Sequence, residues 1–367
     1  MLYYLSQLSH IWGPFRLFQY VTFRAAGAAG TALILVLLLG PLTIKLLKKI
    51  NTTAPSRHKG LIPDEFIDSS KDNIPSMGGI LIVISIVVST IIWAIPVNHM
   101  MLIFLFLLVS LSCVGFIDDY VKIVHRNRNG ISGKLKLSMQ FALAFAAVFY
   151  LSTLPKMGII LSQLMIPFIK EPLLTGFYGA LLTIPLGILV VVGSSNAVNL
   201  TDGKDGLAIG SVIFCALAYC AFAYLSGNIV FAGHLNIHYI SGAGEVGIFA
   251  AAIIGAGIGF LWYNCHPASM FMGDTGSLAL GGSIGLIAVL VRQELILLVI
   301  GGVFVMEAGS VIIQVACYKL TGKRVFQCTP IHHHFERKGW TETQIVTRFW
   351  ILGGLFALIG LASLKLR

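Results

Sequence analysis

Charged side chains are scarce in this chain. Asp, Glu, Lys and Arg make up 11% of its 367 residues, against 57% hydrophobic residues. Soluble domains carry about 25% charged residues, so the shortage excludes an ordinary soluble enzyme and points to a polytopic membrane protein with little mass outside the bilayer. Paired cysteines are missing as well. Cys113, Cys215, Cys220, Cys265, Cys317 and Cys328 show no CxxC spacing and mostly lie in apolar runs, where packing is the expected role. The opening "MLYYLSQLSHIWGPFRLFQY" has no basic segment followed by a short apolar core and a small-residue cleavage site, so no cleaved signal peptide is expected. An internal repeat of the kind transporters show is absent too.

Long apolar runs fill the space that charge leaves. A bilayer core takes about 20 apolar residues per helix. Ten runs can be drawn, near 25–46, 75–96, 100–117, 135–153, 173–194, 206–227, 245–264, 275–291, 295–318 and 343–364. The expected fold is all-α: a polytopic membrane protein of about ten transmembrane helices, forming one domain over residues 1–367.

Net charge is +10, and its placement sets the orientation. One set of loops holds 18 of the 25 Lys and Arg residues, among them Lys71, Lys122, Lys134, Lys136, Lys204, Arg337 and Lys338. Positive charge marks cytoplasmic loops, so both termini are expected to be periplasmic. Asp118, Asp119, Asp202, Asp205, Asp274 and the triplet His332, His333, His334 fall on the same side. The positive-inside tendency requires neither acids nor histidines there. Their concentration predicts one composite site at the cytoplasmic face.

Each motif has a plainer reading beside the functional one. In "GFIDDYVK", Asp118 and Asp119 end an apolar helix, where the helix dipole disfavours negative charge. Lys122 neutralising a solvated helix end is the plain reading; a cation or proton site is the functional one. In "SSNAVNLTDGKDGLAIG", Asn196, Asn199, Asp202 and Asp205 recur every three residues. Capping of the next span explains Asp205 alone. In "NCHPASMFMGDTGSLALGG", Asp274 is either a helix cap or a carboxylate that holds Mg²⁺ against a phosphate. In "TPIHHHFERKGW", three consecutive histidines share no helix face, which suits a loop offering several donors to an anion. Lys71 and Ser76 in "KDNIPSMGG", like Lys134 in "NGISGK", are phosphate contacts or ordinary membrane-edge residues. Glu307, inside the ninth run, is placed far from the cluster by this topology, with a structural role where Gly301, Gly302 and Gly309 loosen the helix.

Taken in order, "GFIDDYVK", "SSNAVNLTDGKDGLA", "FMGDTGSLALGG" and "PIHHHFERKGW" resemble the phospho-N-acetylmuramoyl-pentapeptide transferases. These belong to the polyprenyl-phosphate N-acetylhexosamine-1-phosphate transferase superfamily. The likeness runs from about Val36 to Arg367, and the triple histidine with "FERKGW" and "RFWI" points to the muramoyl-pentapeptide branch. It implies ten spans in the bacterial inner membrane and a Mg²⁺-dependent reaction. UDP-N-acetylmuramoyl-pentapeptide and undecaprenyl phosphate would give lipid I and UMP. It implies that Asp274 is the magnesium ligand and that Asp118 and Asp119 are the catalytic pair. Asn199, Asp205, Gly206 and Phe271 would line the nucleotide pocket. Lys71, Ser76, Lys134, Asn264, His332, His333 and His334 match further active-site positions, and Asp202 is grouped with the substrate contacts. Membrane lipid is an expected partner, nucleic acid is not, and a homodimer is left open. The sequence departs from the family at "NIPS", where Gly-Thr-Pro-Thr is usual, and at Lys204, where an apolar residue is usual. Alternatives are a sister transferase using UDP-N-acetylglucosamine, and a transporter. A transporter would place charge near the midplane rather than at one edge.

Overall fold

A computed structural model describes residues 1–50, 74–95, 97–124, 130–166, 169 and 171–365. Lys71 lies outside the described residues. After two 3₁₀ turns, Leu2–Leu8 and Gly13–Gln19, come α1 (Val21–Lys49), α2 (Gly79–Trp93), α3 (His99–Val124), α4 (Gly133–Thr153) and α5 (Pro155–Leu161). The chain continues through α6 (Gly176–Thr201), α7 (Leu207–Ser226), α8 (Ile229–His234), α9 (Ala243–Asn264) and α10 (Gly273–Leu290). It ends with α11 (Leu297–Ile300), α12 (Gly302–Thr321), α13 (Ile331–Arg337) and α14 (Glu342–Ala362). Nine of these helices, α1, α3, α4, α6, α7, α9, α10, α12 and α14, are long and apolar enough to cross a membrane. The second apolar run yields α2, which has 15 residues. The all-α, multi-pass architecture is as expected, and the only β feature among the described residues is an isolated bridge between Leu164 and Leu174.

Helix α10 is the axis of the bundle; every one of its residues is buried. Lipid gives no hydrophobic drive for one helix to seek another, so small residues and close backbone contact do that work. Gly281 and Gly285, four apart, face α6. A Cβ on Gly285 would lie 2.9 Å from the Val191 Cα, and one on Gly281 would lie 2.8 Å from the Ser195 Cα. On α3, a Cβ on Gly115 would come 2.6 Å from the Thr275 backbone nitrogen. Ser195 adds a hydrogen bond from its hydroxyl to Leu278 O at 2.9 Å. The C-terminal ends of α3 and α6 are thereby pressed against the first turns of α10.

The other end of the bundle is closed by ion pairs. Arg24 of α1 is 1% exposed and forms a two-pronged pair with Glu245 of α9 at 2.7 and 2.6 Å. Glu245 also accepts the Ile95 N–H at 2.8 Å, just past α2. Buried charges are retained only when paired and hydrogen-bonded, and this pair joins three helices. Arg292 is likewise buried against Glu294 and the Gln163 carbonyl. Two of the few basic residues assigned to that side therefore serve packing.

Two expectations are corrected here. Glu307, within the unbroken α12, is not remote from the motif cluster, because the chain beyond that helix folds back and brings His332 to it. The histidine triplet is not in a loop. It lies within α13, which follows directly on Pro330. The chain leaves α12 at Gly322, held at φ +70°, and runs back along that helix. The Val325 and Phe326 N–H groups donate to the Gln314 side chain at 3.1 and 2.8 Å, and His332 reaches Glu307 about two turns nearer the start of α12.

Candidate active site

Three carboxylates meet where α3, α4, α6 and α10 come together. Asp118, Asp119 and Asp274 are each 2% exposed, and one oxygen from each lies within 4.8 Å of the others. Asp118 follows from the helical phase of α3: Lys122, four residues on, turns its ammonium onto the Asp118 carboxylate. The same ammonium reaches Asp274 Oδ2 at 2.9 Å. Lys136 of α4 approaches Asp274 Oδ2 at 2.6 Å and Asp118 Oδ2 at 3.6 Å. Asp118 Oδ1 accepts the Ile131 N–H at 2.9 Å.

Asp274 is not a helix cap. It sits at the second position of α10, after an N-cap residue, Met272, that makes no side-chain cap bond. Its second oxygen accepts from Asn199 Nδ2 at 2.9 Å, and that amide also donates to Ser277 Oγ at 2.8 Å. The start of α10 is served instead by Asp119, whose Oδ2 accepts the Thr275 N–H at 3.0 Å and the Thr275 hydroxyl at 2.8 Å. An anion at a helix N-terminus is favourable, so Asp119 gains there what it loses at the end of α3. Gly273, at φ +72°, permits the approach: a Cβ would lie 2.6 Å from Asp119 Oδ2 and 3.1 Å from Ser76 Oγ. Ser76 is placed by backbone pairing of its strip with the α10 entry. Phe271 N–H donates to Pro75 O at 2.9 Å, and Gly78 N–H donates to Phe271 O at 2.8 Å.

A second group lies just past the last turn of α6, three residues beyond Asn199, at the Asp202–Gly206 turn. Asp205 does not cap α7; its carboxylate accepts the Ala268 N–H at 3.2 Å and pairs with His266 Nδ1 at 3.1 Å. Its backbone N–H donates to Glu342 at 2.9 Å. Asn264 ties this turn to the α10 entry, accepting from Gly206 N at 3.1 Å and donating to Met270 O at 2.9 Å. Helix α13 closes over the turn. Lys204 pairs with Glu336 at 2.6 Å, and His333 Nδ1 meets the other Glu336 oxygen at 3.0 Å. Burial by itself would raise the Glu336 pKa, but the hydrogen bonds from His333 and Lys204 prevail and hold it at about 2. Burial lowers the pKa of His333. His334 turns elsewhere, accepting the Gln327 N–H at 3.3 Å.

The structure thus gathers Asp118, Asp119, Asp274, Asn199 and Ser76 in one node, and Asp205, Gly206, Asn264, His332 and His333 about the adjoining turn. Asp202 is the residue that ends α6 and begins that turn. Lys134 is exposed, and it is Lys136 that reaches the carboxylates. Asn196, the first of the three-residue series, ties α6 to Gln140 of α4 at 2.8 Å. Thr275, His266, Glu336 and Glu342 were not singled out from the sequence. For Glu336 the signal was its place three residues after His333; the others carry no local signal.

Hard carboxylate oxygens suit a hard divalent cation, and here Asp118 and Asp274 already converge on one cationic group, the Lys122 ammonium. The donor set therefore suits a divalent metal ion.

A family model described as glycosyl transferase family 4 matches residues 100–292, which takes in the aspartate pair, the Asp202–Gly206 turn and Asp274. The class of protein is therefore a membrane-embedded glycosyl transferase. Three relatives, each named phospho-N-acetylmuramoyl-pentapeptide-transferase, align over 100% of both chains. They come from Methylacidiphilum infernorum (isolate V4) at 48% identity, Rhodopseudomonas palustris (strain BisA53) at 47% and Dinoroseobacter shibae (strain DSM 16493 / NCIMB 14021 / DFL 12) at 47%. The chain belongs to the phospho-N-acetylmuramoyl-pentapeptide transferase family.

Proposed function

We propose that this enzyme transfers phospho-N-acetylmuramoyl-pentapeptide from its UDP-linked donor to undecaprenyl phosphate, forming lipid I and UMP in peptidoglycan synthesis. It would work as a single domain in the bacterial inner membrane, with both termini periplasmic and the site at the cytoplasmic face. The observation that carries this reading is the convergence of Asp118, Asp119 and Asp274 with Lys122 and Lys136 at one end of the helix bundle. A soluble nucleotide and a lipid phosphate meet only at such an edge.

Asp274, with Asp118 beside it, would hold Mg²⁺, which when bound offsets negative charge on the departing UMP phosphate. The lipid phosphate oxygen bonds to the sugar-bearing phosphorus as the bond to UMP breaks. A phosphate monoester has a second pKa of about 6, so the acceptor is largely dianionic at neutral pH and needs little deprotonation. Asp118 accepts or orients the residual proton. Asp119, anchored on Thr275, fixes the first turn of α10 and so the direction of the Asp274 carboxylate. Lys122 and Lys136 hold those carboxylates in place and draw in the anionic substrates. Asp205, Gly206, Asn264 and Phe271 shape the nucleotide side.

The test is purified protein with radiolabelled donor, undecaprenyl phosphate and Mg²⁺, followed by chromatography of the lipid fraction. Labelled lipid is expected from UDP-N-acetylmuramoyl-pentapeptide and not from UDP-N-acetylglucosamine. Transfer from the latter, or no lipid product at all, rejects the assignment.

A further inference from the structure

Glu307 and His332 form a buried pair that the reaction scheme above does not use. Glu307 is 0% exposed and His332 is 1% exposed. Glu307 Oε2 meets His332 Nδ1 at 3.0 Å, and the His332 backbone N–H points at the same oxygen from 3.5 Å. The far nitrogen, His332 Nε2, is buried without a hydrogen-bond partner, as is Glu307 Oε1. That nitrogen lies beneath Gly203, the exposed residue of the Asp202–Gly206 turn. A Cβ on Gly203 would stand 2.6 Å from it.

We propose that Glu307 is a positioning residue which fixes His332 so that an Nε2–H donor faces the turn and takes an oxygen acceptor of the nucleotide donor.

The protonation follows from counting charge. Out of water the pair is best accommodated at net charge zero. A third net-neutral form, Nδ1–H donating to a carboxyl protonated on Oε1, would leave that buried hydroxyl without an acceptor, so two arrangements remain: an imidazolium with a carboxylate, or a protonated carboxyl donating to Nδ1 of a neutral ring. In both, Nε2 carries a hydrogen. The remaining single-proton arrangement, Nδ1–H with a bare Nε2, strands a carboxylate that no other described cationic group contacts. The backbone N–H aimed at Oε2 marks that oxygen as an acceptor and favours the ion pair. An unsatisfied buried donor is costly, and one held under a glycine of the nucleotide turn is satisfied when a ligand oxygen arrives. A polar group behind a histidine that sets its ring orientation and donor state is a familiar physical device.

This inference rests on the transferase reading for the identity of the ligand, but its first test does not. In full-length protein carrying ¹⁵N-histidine, with the His332 signals assigned by difference from a His332→Gln sample, Nε2 is expected at the shift of a protonated nitrogen without any substrate. A bare-nitrogen shift at Nε2 overturns the proposal whether or not the enzyme makes lipid I. The second test is calorimetric binding of UMP and of uridine to wild type, Glu307→Gln, His332→Gln and the double variant. Each single variant is expected to weaken binding about tenfold or more, the loss of one charge-assisted hydrogen bond. The double variant should match His332→Gln within about twofold, because Glu307 acts through the histidine. Loss for UMP alone puts the acceptor on the phosphate; loss for both ligands puts it on the nucleoside. Unchanged affinities, or losses that multiply in the double variant, overturn the proposal.

Discussion

Replacing Thr275 with valine removes one hydroxyl and little else. The two side chains have nearly the same shape and share β-branching, so helix α10 should keep its backbone. Asp119 Oδ2 would retain the Thr275 N–H at 3.0 Å and lose the hydroxyl donor at 2.8 Å. Both residues are almost completely buried, so water does not simply step in. A hydrogen bond to a charged group contributes about 1.5–3 kcal/mol. At about 1.4 kcal/mol per tenfold, turnover should fall from about tenfold to roughly a hundredfold if the transition state needs Asp119 held in that position. The assay is the initial rate of lipid product at saturating donor and acceptor, repeated across a Mg²⁺ titration, with the apparent Tm recorded for each sample. The KM for the nucleotide donor should hardly change, because Thr275 touches the carboxylate node and not the Asp202–Gly206 turn. A folded Thr275→Val enzyme with kcat within twofold of wild type would refute the idea that Asp119 works through its anchor on α10.

Asp274→Asn should abolish turnover and flatten the Mg²⁺ response, since a neutral amide is a poorer ligand for a hard cation; near-normal rates with an unchanged titration would remove Asp274 from the metal site. The Glu336 carboxyl, held at about 2 against an ordinary 4.5, contributes stability that is complete above pH 4.5 and is lost as pH falls toward 2. Apparent Tm should drop through that window, and Glu336→Gln should flatten the drop; an equal slope in both proteins would show that the Lys204–Glu336–His333 link adds no stability. A reporter that is active only in the cytoplasm, fused after Arg367, should stay silent, and a signal from it would invert the proposed orientation.

Nine of the ten runs were legible in the sequence as spanning helices, because a bilayer sets a length that an apolar run either meets or fails; the second run gave the shorter α2. The end of each polar motif on one side followed from the same reading, through the asymmetry of Lys and Arg. Asp118 and Lys122 were legible as a pair because four residues make one helical turn. Beyond that reach the sequence is silent. Asp119 and Thr275 are 156 residues apart, and only the glycine contacts that press α3 onto α10 bring them together. Lys134 and Lys136 look alike in sequence. Two residues along a helix turn the side chain by about 200°, and the Ser132 cap that starts α4 gives Lys136 the phase that faces Asp274. Glu307 looked remote from the cluster because the reversal at Gly322, which brings His332 back to it, is a tertiary event. Periodicity records the face and length of a single element, whereas the partner of a buried charge is chosen by how separate elements pack.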